Sequence, residues 1–197
     1  MGQTIRGAQQ TPIVVIEQGR PVLRVGGVIQ SIGVNESYQA DIWDAMLPRE
    51  RPANALILGL GGGTIASLLT QRFGPLPITG VERDPAVVWL ARHEFGLDAL
   101  AHVHIVIADA FDYARRCREQ YDAICVDLYT AGKMAHGVFD STFLRHIARL
   151  LAPEGTVAFN LWRSAYLEDQ LRRLRRVLTV IETVEADDNI VVHCRRG

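Results

Sequence analysis

The chain has 197 residues, of which 48% are hydrophobic, 22% charged and 7% aromatic. That profile excludes a disordered chain and a collagen-like repeat. Lysine plus arginine number 21 and aspartate plus glutamate 22, a net charge of -1, which supplies no field for nucleic acid or anionic lipid, so neither is expected as a partner.

Residues 12–16, 22–25 and 28–32 are short apolar stretches separated by Gly19 and the Gly26-Gly27 pair, and read as antiparallel strands. From Ala55 the pattern changes to apolar runs of five or six residues alternating with longer segments of helical period, which predicts a parallel sheet with crossover helices. The predicted strands are 55–60, 78–82, 103–108, 121–127 and 156–161, and the predicted helices 63–72, 85–95, 110–119, 141–151 and 165–177. Asp84 before Pro85 is an N-cap followed by an N1 proline, and Asp140-Ser141 is a similar start signal. The last two apolar runs, 177–184 and 190–194, flank a polar turn and predict a terminal hairpin rather than another βα unit. Five parallel strands followed by such a hairpin make an α/β chain that resembles the Rossmann-like methyltransferases, unlike a nicotinamide dehydrogenase, whose sixth strand stays parallel. At roughly 150 residues per domain, residues 1–197 read as one domain, with 1–50 an extension and 51–197 the core.

Cys117, Cys125 and Cys194 lie at no metal-ligand spacing, so no metal is predicted, and their odd number suits a reducing cytoplasm. No leader-like stretch opens the sequence and no run of about 18 apolar residues occurs, so neither export nor a membrane span is expected.

Chemistry concentrates at the strand ends. Gly59-Leu-Gly61-Gly62-Gly63-Thr64 leaves the first parallel strand and enters a helix; glycines there permit a sharp turn and close ligand approach, with free N–H groups at the helix start for an anionic end. The next strand ends at Glu82, where a carboxylate accepts from both ribose hydroxyls of a nucleoside or caps the following helix. Asp109, followed by Ala110, ends the third strand and either meets an adenine amino group or caps a helix. Asp127 ends the buried fourth strand and is the best acid or base candidate, with a structural acid as the alternative. The segment 129–137, with Gly132 and Gly137, reads as a substrate lid. Arg172, Arg173, Arg175 and Arg176 read as a solvated helix face. Trp43, Trp89 and Trp162 read as core or interface residues, with Trp162 placed to wall an acceptor pocket.

With these residues in place, the chain resembles the spermidine synthase family of polyamine aminopropyltransferases, over about residues 22–161. Gly27-Val-Ile-Gln30, Asn35-Glu-Ser-Tyr38-Gln39, Gly61-Gly-Gly63, Glu82, Asp109 and Asp127 recur in the family's order. The resemblance implies an enzyme using S-adenosylmethionine or its decarboxylated form. Gln39, Gly59, Gly61, Gly63, Glu82, Asp109 and Ala110 would hold the donor, Asp127 would accept the proton, and Tyr38 and Tyr129 would face the acceptor. His136 would stand near the mouth, and a homodimer is implied through the N-terminal strands. Departures bear on the substrate: Thr64 and Thr130 stand where the family has aspartates, and Ala40 replaces another acid, with Asp41 one place on. Desolvating two ammonium groups without paired carboxylates costs several kcal/mol per ion, so methyl transfer to a small molecule is favoured over polyamine synthesis. A non-catalytic nucleoside-binding module is the remaining alternative.

Overall fold

The structure is a computed structural model that describes residues 11–34, 42–130 and 132–197. Its first described elements are β1 (Pro12–Glu17), β2 (Arg20–Val25) and β3 (Val28–Ile32), an antiparallel meander as the apolar alternation predicts, followed by the short helix α1 (Ile42–Ala45). The body then alternates: β4 (Ala55–Leu58), α2 (Thr64–Phe73), β5 (Ile78–Glu82), α3 (Pro85–Glu94), β6 (Val103–Ile107), α4 (Ala110–Arg116) and β7 (Tyr121–Val126). A two-stranded hairpin, β8 (Tyr129–Thr130) and β9 (Lys133–Met134), precedes α5 (Ser141–Leu150), β10 (Leu151–Trp162), α6 (Leu167–Leu174), β11 (Leu178–Ala186) and β12 (Asn189–Arg196).

The described residues build a seven-stranded sheet in the order β11-β12-β10-β7-β4-β5-β6. Strands β10, β7, β4, β5 and β6 are parallel and the terminal hairpin is antiparallel, so the predicted α/β architecture is the one observed. The continuous apolar runs follow from burial on both faces. Within β4, Leu56 and Leu58 join the layer formed by α4, α5 and α6, while Ala55 and Ile57 join the layer of α1, α2 and α3. β7 divides likewise, Ile124 and Val126 to the first layer and Ala123 and Cys125 to the second. Each fully buried Leu, Ile or Val contributes roughly 1.5–3 kcal/mol.

Element boundaries shift where local chemistry intervenes. β10 starts at Leu151, five residues before the predicted strand, and its register against β7 jumps between Leu151 and Thr156. Pro153 lacks a ladder donor and Gly155 lies against Tyr121, where a Cβ would be 2.7 Å from its carbonyl oxygen. α6 ends at Leu174, short of the predicted 177, because Leu178 already belongs to β11. Among the described residues no helix is long and apolar enough to cross a membrane.

The topology places the site. From β4 the chain steps to β5 and β6 on one side, and β7 and β10 lie on the other, so a crevice opens at the carboxyl ends of β4 and β7. β3 and the β8–β9 hairpin cover that crevice from the outside.

Candidate functional site

A cavity of about 300 Å³ occupies this crevice, the lower end of the range for small-molecule sites. Of the residues that the sequence singles out, Gly59, Gly61, Glu82, Asp109, Ala110, Asp127 and Tyr129 line it. Gly63 does not. It is the left-handed N-cap of α2, with φ 87°, and its Cβ position faces Leu97 at 2.7 Å. Tyr38 and Gln39 lie outside the described residues, and with them Ala40 and Asp41. His136 is exposed and is not part of the cavity wall.

Gly59 has φ +91°, and a Cβ there would stand 2.1 Å from the carbonyl oxygen of Asp127. The ends of β4 and β7 therefore meet backbone to backbone, which only glycine allows. Within residues 59–63 every backbone N–H has a partner. Gly59 and Leu60 N–H both donate to Val81 O at 3.0 Å, and Gly63 N–H donates to Leu60 O at 2.9 Å. Gly61 N–H donates to Glu82 Oε2 at 3.1 Å and Gly62 N–H to Ser31 Oγ at 2.7 Å. Ser31 and Glu82 thus take the donors that an anionic ligand would need.

Glu82 is fixed by three backbone amides: Gly61 on Oε2, and Arg83 and Asp84 on Oε1 at 2.9 and 3.0 Å. A carboxylate offers about four acceptor positions, so capacity for one ligand hydroxyl is left at Oε2 rather than for two. Asp109 is the N-cap of α4, its Oδ1 accepting from Phe111 and Asp112 N–H at 2.9 and 3.1 Å. The capping role is real, and the same side chain borders the cavity.

Asp127 sits at the other side of the crevice. Its Oδ2 accepts from the indole N–H of Trp43 at 2.9 Å and its Oδ1 from Asn160 Nδ2 at 2.8 Å. Asn160 Oδ1 in turn accepts from Asn189 Nδ2 at 2.8 Å. Tyr129 donates its hydroxyl to Asn160 O at 3.1 Å. Burial first, and the Asp127 charge second, push the Tyr129 phenol well above its ordinary value, so it stays a donor. Trp43, Asn160 and Asn189 were missed as site residues by sequence reasoning. The available signals were a buried indole, which needs an acceptor, and an amide interrupting the apolar run Val157-Ala-Phe-Asn160-Leu161. Trp162 does line the cavity, and so does Asp187, which holds φ 49° in the β11–β12 turn.

Thr64 stands apart from this wall. It is buried, and its hydroxyl donates to Ile32 O at 2.8 Å and accepts from Ile32 N–H at 3.1 Å, binding α2 to β3. Gly132 and Ala135 border the cavity, and the Cβ position of Gly132 lies 3.1 Å from Val28 of β3. Among the described residues the ionisable wall groups are Glu82, Asp109, Asp127, Tyr129, Asp187 and a single base, Arg83. No described group of three or more His, Cys, Asp or Glu side chains is arranged to hold a metal.

Known proteins resemble this chain in sequence and in fold. The family model of the spermine/spermidine synthase domain matches residues 11–184. The eEF1A lysine and N-terminal methyltransferase homolog of Drosophila melanogaster is 29% identical over 160 residues, 74% of this chain and 24% of its own length. The polyamine aminopropyltransferase of Chromobacterium violaceum is 29% identical over 127 residues, 64% of this chain and 49% of its own. The chain therefore spans about a quarter of the first relative and half of the second. Human methyltransferase-like protein 13, solved in complex with SAH, superposes with a TM-score of 0.67 at 26% identity, covering 74% of this chain and 72% of its own. A spermidine synthase solved with the transition state analogue AdoDATO superposes with a TM-score of 0.74 at 17% identity, covering 100% of this chain and 72% of its own. By the extent of the family match, which the strand order and the glycine-loop geometry accompany, the chain belongs to the spermine/spermidine synthase family.

Proposed function

We propose that the cavity holds a nucleoside sulfonium donor of the S-adenosylmethionine type, and that the chain transfers the donor's methyl group to a small amine-bearing acceptor at Asp127. The observation that carries this reading is the charge and placement of the wall: Glu82 and Asp127 stand at the tips of strands flanking β4, in a cavity with four carboxylates and one guanidinium among its described residues. Such a wall favours a cationic ligand. It is ill suited to a dinucleotide diphosphate, since the loop amides that would meet one already have partners.

When bound, the sulfonium supplies an electrophilic carbon. Glu82 Oε2 would accept from one ribose hydroxyl, and Asp109, whose two amide bonds both fall on Oδ1, would keep Oδ2 for the base. Asp127 would hold the acceptor's ammonium and take its proton, and the freed nitrogen lone pair would form the N–C bond as the C–S bond breaks and S-adenosylhomocysteine leaves; in-line placement would contribute the rest. Thr64 is closed onto Ile32, so the position after the triple glycine offers no acid to a second ammonium. This favours methyl over aminopropyl transfer. Aminopropyl transfer is the second reading, and one observation supports it: the bonded loop amides leave no N–H of residues 59–63 for a methionyl carboxylate, which a decarboxylated donor lacks.

The test is incubation with S-adenosylmethionine and a panel of primary amines, with S-adenosylhomocysteine detected by mass spectrometry. Product is expected from the wild type, and Asp127→Asn should lower turnover about 100-fold or more. Methylthioadenosine released from decarboxylated donor and a diamine would replace methyl transfer with the second reading. Donor binding without either product would establish a non-catalytic binding module.

A further inference from the structure

We propose that Asn160, held by Asn189, and Trp43 are positioning residues for Asp127, which makes the β11–β12 hairpin a working part of the site. This rests on the reading of Asp127 given above.

The polarity of the network is set at one end. Trp43 supplies an indole N–H, which only donates, and a carboxylate only accepts. Asn160 must therefore turn its NH2 toward Asp127, which leaves its carbonyl toward Asn189, and Asn189 must answer with its own NH2. The observed distances of 2.9, 2.8 and 2.8 Å obey that order. With a protein donor on each oxygen, the carboxylate plane is fixed relative to the cavity.

The three partners come from separate elements. Trp43 is on α1, Asn160 on β10 and Asn189 at the start of β12, directly opposite Trp162 in the ladder. All three are buried, at 8%, 6% and 8% exposure. Buried amides destabilise a sheet unless every one is satisfied, and leucine would suit the same layers. Their common effect is to orient one carboxylate at the strand end where the chemistry is placed. Asn160 and Asn189 also border the cavity themselves, so the relay runs along its wall.

The test is an NMR titration of the full chain carrying 13C-carboxyl aspartate, with Asp127→Asn assigning the resonance. Assignment matters because Glu82, Arg83, Asp109, Tyr129 and Asp187 share the cavity and Cys125 lies two residues away on β7. Trp43→Phe and Asn160→Leu should each raise the Asp127 midpoint by about one pH unit, the size of one lost bond to a charged group. Asn189→Leu should raise it by less, and by less still in the Asn160→Leu background, since Asn189 reaches Asp127 chiefly through Asn160 and otherwise touches Tyr129. Trp43→Phe keeps the ring and tests the idea even if the asparagine variants fold poorly. Unchanged midpoints in Trp43→Phe and Asn160→Leu, or an effect of Asn189→Leu as large in the Asn160→Leu background as in the wild type, would overturn the proposal. In turnover, the same variants should lower kcat while leaving the donor KM unchanged, which a general loss of packing would not do. Failure of the wild type to bind S-adenosylmethionine would instead remove the functional reading, and the midpoint shifts would still decide for or against the relay.

Discussion

At Gly59 a single hydrogen atom decides whether the crevice can form. Its Cβ position lies 2.1 Å from Asp127 O, and its φ of +91° is left-handed. Gly59→Ala should destabilise the chain by about 3 kcal/mol or more. Urea unfolding would show this, and a wild-type midpoint would contradict it. The thiols separate as sharply. Burial, reinforced by the charge of Asp127, pushes Cys125 up to about 12, and burial pushes Cys194 up to about 12, while Cys117 is only half-buried. A disulfide-exchange reagent at pH 8 should therefore modify one thiol in the native chain and three in denaturant; rapid reaction of two or more native thiols would contradict the burial. Gly59, Glu82 and Asp127 were legible in the sequence because residue type and strand-end position coincide. Trp43 and Asn160 were not, because their roles are contacts made across 84 and 33 residues to Asp127. Nothing local distinguishes such a partner from an ordinary core tryptophan or a strand amide.

Among the elements, α4 shows one residue with two separable duties. Asp109 caps the helix through Phe111 and Asp112 N–H and also borders the cavity. Asparagine caps as well as aspartate, so Asp109→Asn should stay within about 0.5 kcal/mol of wild-type stability while weakening donor binding. Asp109→Ala should lose both, with about 1 kcal/mol of stability. Equal donor affinity in Asp109→Asn and wild type would confine the residue to its cap. The order of strands and helices was readable because the apolar runs are long and two helix starts carry side-chain caps, at Asp84, whose Oδ1 accepts from Ala86 N–H, and at Asp109, whereas Asp140 starts α5 without a side-chain cap bond. What could not be read was the register shift at the start of β10, where Gly155 lies against Tyr121 across strands, or the entry of the β11–β12 turn into the cavity wall. A turn of Asp187 and Asp188 looks like solvent-facing connection until the sheet order brings it back over β10.

Over the whole molecule, burial of ionisable groups sets the pH response. Cys125 and Cys194 have an ordinary value of 9.0 and lie near 12 when folded. Below pH 9 folded and unfolded chains both keep these protons; above it the unfolded chain loses them first, so stability falls as pH rises toward 12. The expected slope is roughly 1 kcal/mol per thiol for each pH unit. Tyr121, raised to about 12 chiefly by burial, acts in the same direction from its ordinary 10.0 upward. Urea midpoints between pH 8 and 10.5 would reveal it, and Cys125→Val should remove one thiol's share; a flat profile would contradict the burial of these groups.

The proposed function rests on the acid-rich cavity at the carboxyl ends of β4, β5 and β7. Its most direct test is calorimetric titration of the purified chain with S-adenosylmethionine, its decarboxylated form and methylthioadenosine in parallel, repeated with Glu82→Ala. Saturable binding of the intact donor is predicted, weakened at least tenfold in Glu82→Ala through loss of the ribose bond and of the amides that Glu82 holds. Binding of none of the three would contradict the nucleoside site itself.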